Sequence, residues 1–205
     1  AGDLINTRER EVLALRRPLA LLDPPLGIYA VPGNHDHFFG SGIDLWRAFL
    51  AGEGVQVLDN EGVRLERGGD TLWLAGVDDL TEGEPDLAAA LAGAGEEEPV
   101  VLLSHHPDFF FEAAAVGVEL TLSGHTHGGQ INLGGCRPLR HTRFGWWEGL
   151  FEEVGCRLYV SRGVGTTLLP LRLAAPPEIP LLTLRPGSPP GPPPAGRWAP
   201  GRGSS

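Results

Sequence analysis

Residues 120–133 read LTLSGHTHGGQINL. An apolar run stops at Ser123 and Gly124, two imidazoles follow one residue apart, and Gly128-Gly129 lets the chain turn away. Short apolar runs closed by glycine or proline read as buried strands. The same design occurs elsewhere. Residues 26–31 (LGIYAV) run into PGNHDH, residues 100–103 (VVLL) run into SHHPD, and residues 118–122 (VELTL) lead into the opening stretch itself. Gly2-Asp3 has the look of a strand end whose body precedes Ala1. The polar ends of these runs hold Asp3, Asn34, His35, Asp36, His37, His105, His106, His125 and His127; of the seven histidines, only His141 lies apart.

Helical patterns separate the strands. Residues 7–22 are rich in Arg, Glu, Leu and Ala with Thr7 as N-cap, and residues 43–50, 85–91 and 107–116 follow, the last with a proline in its first turn. Residues 63–75 read as a hairpin around Gly68-Gly69-Asp70, residues 150–161 as a second hairpin, and residues 178–185 (EIPLLTLR) as a closing strand. Residues 186–205 are too rich in Pro and Gly to pack and are expected to form a disordered tail after a domain spanning 1–185. Alternating strands and helices followed by hairpins indicate an α/β or α+β layered fold. Such folds keep their sites in the loops beyond the carboxyl ends of the strands.

If the four strands are neighbours, carboxylate, carboxamide and imidazole groups meet at one point. That donor mixture suits Mn, Zn or Fe rather than an all-oxygen calcium site. Each motif alone has a plain structural reading. Asn-His after Pro-Gly is good turn chemistry, Ser104 can cap a helix, and Gly-Asp is a common turn dipeptide. Four in this order, each behind an apolar strand, outweigh those readings. The net charge of −10 and the lack of a basic stripe argue against a nucleic-acid partner. Two cysteines, Cys136 and Cys156, are read as core thiols. No apolar run spans a bilayer and no signal peptide heads the sequence. With no methionine and an opening that looks mid-element, the chain is expected to be a fragment, so an upstream anchor would not be seen.

GD, GNHD, HHP and GHTH in this order resemble the calcineurin-like metallophosphoesterases, from Asp3 to about Arg185. The texts LLSHHPDFF, LSGHTHGGQINL, LYVSRGVGTTLLPLR and APPEIPLLTLR look like a bacterial branch that includes cell-envelope phosphatases and UDP-2,3-diacylglucosamine hydrolases of lipid A synthesis. The resemblance implies two packed β-sheets flanked by helices, and two divalent metal ions (Mn, Fe or Zn). It implies Asp3 as the bridging ligand, Asn34, His105 and His125 on one metal, and His127 on the other. His35 becomes the proton donor to the leaving oxygen, its tautomer held by Asp36, and His106 is structural. The implied substrate is a phosphorylated small molecule or lipid, with membrane association through an upstream segment. The family's first motif, an Asp and a His ending an earlier strand, has no counterpart here, so the first strand-helix unit is expected to be missing and the chain weakly active at best. A non-catalytic metal- or phosphate-binding module is the competing reading.

Other residues carry weaker expectations. One of Trp146 and Trp147 should enter the core, Arg143 and Arg162 should be solvated or grip phosphate, and Asp78-Asp79 should shape a loop.

Overall fold

The computed structural model describes residues 1–6, 11–38, 43–134, 136 and 141–185. The expected tail at 186–205 and the N-cap Thr7 lie outside them. Among the described residues, eight strands form two sheets. β1 (Ile28–Ala30) and β2 (Val55–Val57) make a two-stranded parallel sheet. The larger sheet contains β3 (Glu61–Arg67), β4 (Asp70–Gly76), β5 (Val100–Leu103), β6 (Leu120–Ser123), β7 (Gly149–Glu153) and β8 (Cys156–Val160) in the order β3-β4-β5-β6-β8-β7. Its four inner strands run parallel, and β3 and β7 are antiparallel edges.

Local chemistry accounts for these elements. β4, β5, β6 and β8 are dominated by apolar residues, as parallel strands covered on both faces must be. The β3–β4 hairpin closes through Gly68 and Gly69, whose φ values of 63° and 92° suit a two-residue turn of the hand that matches strand twist. α4 (Leu87–Leu91) starts where the Asp86 carboxylate accepts the Ala89 N–H. α5 (Phe110–Ala115) follows a 3-10 turn, Pro107–Phe109, capped by the His106 ring.

Alternation along the strands sorts side chains into layers. Ala75, Val77 and Leu102 face Phe109, Ala113 and Ala90 on the α4/α5 side. Leu74, Val101 and Leu120 face the other way, onto Val31 and Leu58, which directly follow the two strands of the small sheet. The outer face of that small sheet packs Ala30 and Val55 against Trp46 and Leu50 of α3 (Ile43–Gly52) and Val12 of α1 (Val12–Leu19). The architecture is helices, sheet, sheet, helices, as expected.

Residues 178–185 are a correction: they join no ladder, and Ile179 and Leu181 are 87% and 96% exposed. Pro180 has no N–H to give a strand, and the Glu178 N–H donates to the Gly163 carbonyl in a loop rather than to a neighbouring strand. Cys136 also departs from expectation, being exposed, whereas Cys156 is buried as a free thiol.

Candidate metal centre

β1, β5 and β6 end at one place. Asp3, His105 and His125 bring their ligand atoms within 4.8 Å of one another. His105 Nε2 lies 3.1 Å from Asp3 Oδ2 and 3.1 Å from His125 Nδ1, and His125 Nδ1 lies 3.1 Å from Asn34 Oδ1. The other ring nitrogen of His105 faces the carbonyl of Ala1 at 2.8 Å. A carbonyl only accepts, so Nδ1 carries the hydrogen and the Nε2 lone pair of a neutral ring points at the cluster. Four electron-rich atoms thus converge from four chain segments. Such a group needs a proton or a cation among its members. His105 shows the proton's version: burial pushes its pKa down, but the Asp3 carboxylate outweighs this and carries it up. For Asp3, burial works upward and the His105 contact and the His35 N–H prevail, holding it at about 2. Burial and the neighbouring His105 and His106 push His125 down to about 2, so its imidazole is neutral and available as a ligand at pH 7.

The backbone around these groups is unusual. Asp3, His125 and His127 have φ of 50°, 63° and 52°, and Gln130 has 49°. A left-handed conformation costs a non-glycine residue on the order of 1–2 kcal/mol, and such strain gathers at functional sites. The glycines of the motifs have a separate reason. A Cβ on Gly33 would meet the Asp3 carboxylate, lie 2.5 Å from the Asp3 nitrogen and 3.0 Å from His105 Cε1. The φ of Gly33 is −120°, so the demand is steric rather than conformational. Gly33→Ala should therefore keep the fold, displace Asp3, and weaken Mn²⁺ binding at least tenfold in a calorimetric titration; unchanged affinity would refute the packing argument.

The structure separates the remaining sequence-named residues. His127 is outside the tight trio; its Nδ1 is 3.5 Å from Arg172, and burial followed by that guanidinium pushes its pKa down to about 4. His35 donates its backbone N–H to Asp3 Oδ1 at 2.9 Å, and its Nδ1 lies 2.8 Å from the Asn6 carbonyl. That carbonyl, not Asp36, sets its tautomer. Asp36 is fully buried and accepts the backbone N–H groups of Leu4, Ile5 and Gly33 at 3.1, 3.3 and 2.9 Å. Burial raises its pKa to about 6 against those donors. His37 pairs with Asp78 at 2.7 Å. His106 caps the 3-10 turn, and its ring stacks on His125 with centroids 4.3 Å apart.

The weaker expectations resolve in the same way. Trp146 enters the core against Phe110, and Asp79 folds a loop by accepting from Thr81 and Glu82. Arg162 is held by Glu148 and Glu178, so it is not placed to grip phosphate.

Three residues escaped the sequence reading. His141 was set apart, yet its ring lies 5.3 Å from that of His125 and 6.4 Å from that of His127, with Nε2 buried and without a hydrogen-bond partner among the described residues. Arg172 donates to the carbonyls of His127, Arg162, Gly165 and Ala175, tying residues 162–175 to the histidine turn. Gln130, fully buried, accepts the Thr167 N–H and donates to the Thr167 and Leu169 carbonyls. The place of Gln130 directly behind GHTHGG was the available signal for one of them; the other two carry none.

Two stacked sheets with a carboxylate-imidazole-carboxamide cluster beyond the strand ends define a metal-binding α/β protein. A sequence model described as calcineurin-like phosphoesterase matches residues 1–129, and the chain belongs to that family. It is 36% identical over 192 residues to the protein named uncharacterized metallophosphoesterase YkuE of Bacillus subtilis (strain 168), covering 90% of this chain and 66% of that protein. An uncharacterized metallophosphoesterase of Aquifex aeolicus (strain VF5) is also 36% identical, with 90% of this chain and 70% of that protein covered. A protein of Bos taurus named transmembrane protein with metallophosphoesterase domain is 34% identical, with 90% and 44% covered. The chain thus spans just under two thirds of the Bacillus protein and under half of the bovine one. No solved structure matches. Among the described residues, no helix is long and apolar enough to cross a membrane.

Proposed function

We propose that the chain hydrolyses a phosphoester bond with a metal-activated water. The carrying observation is the convergence of Asp3, Asn34, His105 and His125 on one point, which fits a divalent Mn, Fe or Zn ion. Asp3 also accepts the His35 N–H on its Oδ1, and on the family pattern it would share a second cation with His127. Bound divalent cations would supply charge neutralisation at the phosphoryl oxygens and a water acidic enough to attack near neutral pH.

The chain's own residues do the rest. Asp3 is fixed by the His35 N–H and by His105, so its carboxylate cannot rotate away from the cluster. His35 Nδ1–H donates to the Asn6 carbonyl and turns Nε2 outward, so the doubly protonated ring gives its Nε2 proton to the departing oxygen and is left as the neutral Nδ1–H tautomer. Asp36 acts one step back, holding the backbone of residues 4, 5 and 33 on either side of Asp3 and Asn34. A non-catalytic module is not favoured, because a mere binding site has no need of a proton-carrying ring beside the cluster. The relatives' names mention neither a lipid A intermediate nor a UDP-sugar lipid, and the proposal stops at the phosphoester.

The test is hydrolysis of p-nitrophenyl phosphate and bis(p-nitrophenyl) phosphate by the Mn²⁺-loaded chain. A chelator should abolish turnover, and His35→Ala should lower kcat about 100-fold at unchanged Mn²⁺ affinity. Turnover indifferent to the chelator, or to His35→Ala, would overturn the assignment.

A further inference from the structure

Two cavities flank the metal centre at the strand ends. The larger, about 840 Å³, has five carboxylates in its lining, Asp59 and Asp78 among them. Its cations are committed, Arg47 to Asp44 and Asp59, and His37 to Asp78. A ligand carrying phosphate is repelled there. The smaller, about 480 Å³, has the apolar side chains of Leu80, Phe111 and Phe144 in its lining, with His106 and Arg143.

We infer that the smaller cavity holds the organic group of the phosphoester and selects a flat, apolar ring. The inference rests on the phosphoesterase reading and names the substrate class for that site. Position supports it first. Leu80 and His106 follow β4 and β5, so the cavity opens at the same end of the sheet as the cluster. His106 is the shared wall: its ring lines the cavity and lies 4.3 Å from the His125 ring, tilted 32°. A phosphoryl group at His105 and His125 therefore has its ester substituent one imidazole away from the cavity.

Chemistry supports it next. Phe111 and Phe144 meet edge to face, their centroids 4.9 Å apart. Trp146 packs on both rings from one side, at 5.0 and 4.9 Å, and on the side that lines the cavity a further ring would gain about 0.5–1.5 kcal/mol beyond area burial. Phe144 is 50% exposed, which leaves ring surface to cover. The loop bearing it is pinned in place: Asp108 accepts the Thr142 hydroxyl and the Arg143 N–H. The Arg143 guanidinium makes no ion pair with any described carboxylate, so one cation stands beside the apolar wall, whereas the cations of the larger cavity are paired off. Thr81, exposed Glu112 and Asp108, the last committed to the Thr142 hydroxyl and the Arg143 N–H, complete the lining.

The experiment is calorimetric binding of phenylphosphonate and methylphosphonate to the Mn²⁺-loaded chain and to Phe144→Ala. Phenylphosphonate should bind the unmodified chain about tenfold more tightly. In Phe144→Ala that preference should fall to twofold or less, while methylphosphonate binds as before, which also shows that the variant is folded. Equal binding of the two probes by the unmodified chain, or a preference that survives in Phe144→Ala, overturns the ring pocket and leaves the phosphoesterase reading standing. Binding of neither probe overturns both.

Discussion

His105→Ala is expected to lower Mn²⁺ affinity by at least 100-fold and to take phosphoester hydrolysis with it. His105 is 1% exposed and stands between Asp3 and His125, with Nε2 3.1 Å from each. Its loss removes a donor and also the ring that keeps the Asp3 carboxylate near the cluster. Changes one step back from a metal already cost about 10–100-fold in affinity, so loss of an inner group must exceed that range. Emptying a buried ring site should also lower stability by about 2–4 kcal/mol. The two effects separate in His106→Ala. That ring stacks on His125 and caps a turn but points no nitrogen into the cluster, so stability should fall while Mn²⁺ affinity changes less than tenfold. A His105→Ala chain that binds Mn²⁺ as tightly as the unmodified one would dismiss the cluster as a metal centre.

Asp36→Ala should destabilise the fold by about 3 kcal/mol. Three backbone donors lose their acceptor, two from residues 4 and 5 and one from Gly33. Each buried donor left unmet costs about 1–3 kcal/mol. Removing a carboxylate that burial has pushed to about 6 returns part of that, because the charge was costly to bury. The donor losses are the larger sum. For a domain of this size the thermal midpoint should fall by about 6–12 °C. Asp36→Asn should be intermediate, since the amide accepts on one side and presents N–H to N–H on the other. A thermal midpoint unchanged in Asp36→Ala would show that water replaces the carboxylate. The assignment differs from orienting the His35 ring, and a readout distinguishes them: the pH dependence of kcat should keep its shape in Asp36→Asn, because Asn6 and not Asp36 holds that ring.

Legibility in the sequence followed the range of the interactions. The strand of residues 100–103 was readable to the residue, because four apolar residues between proline and a polar cluster leave one local solution. The hairpin at Gly68-Gly69 was readable for the same local reason. The strand expected at 178–185 was not formed: an apolar pattern states that a partner is wanted, whereas the ladder depends on a neighbouring edge that no local pattern reveals. Val55–Val57 shows the reverse case, a three-residue strand too short to announce itself and stabilised by pairing with β1.

The candidate site divides along the same line. Residue types, their order and their place beyond apolar strands were set by the linear chain, because strand ends and glycine turns are local matters; these gathered the polar residues from Asp3 to His127, and the family resemblance picked Asp3, Asn34, His105, His125 and His127 from among them as ligands. The arrival of His141 beside His125, the Ala1 carbonyl that orients His105 across 104 residues, and the passage of Asp36 from ring-holder to backbone anchor belong to the tertiary structure. Those contacts depend on how loops cross above two stacked sheets. Their energies are decided by burial and by which acceptor lies nearest, quantities that exist only once the layers have closed.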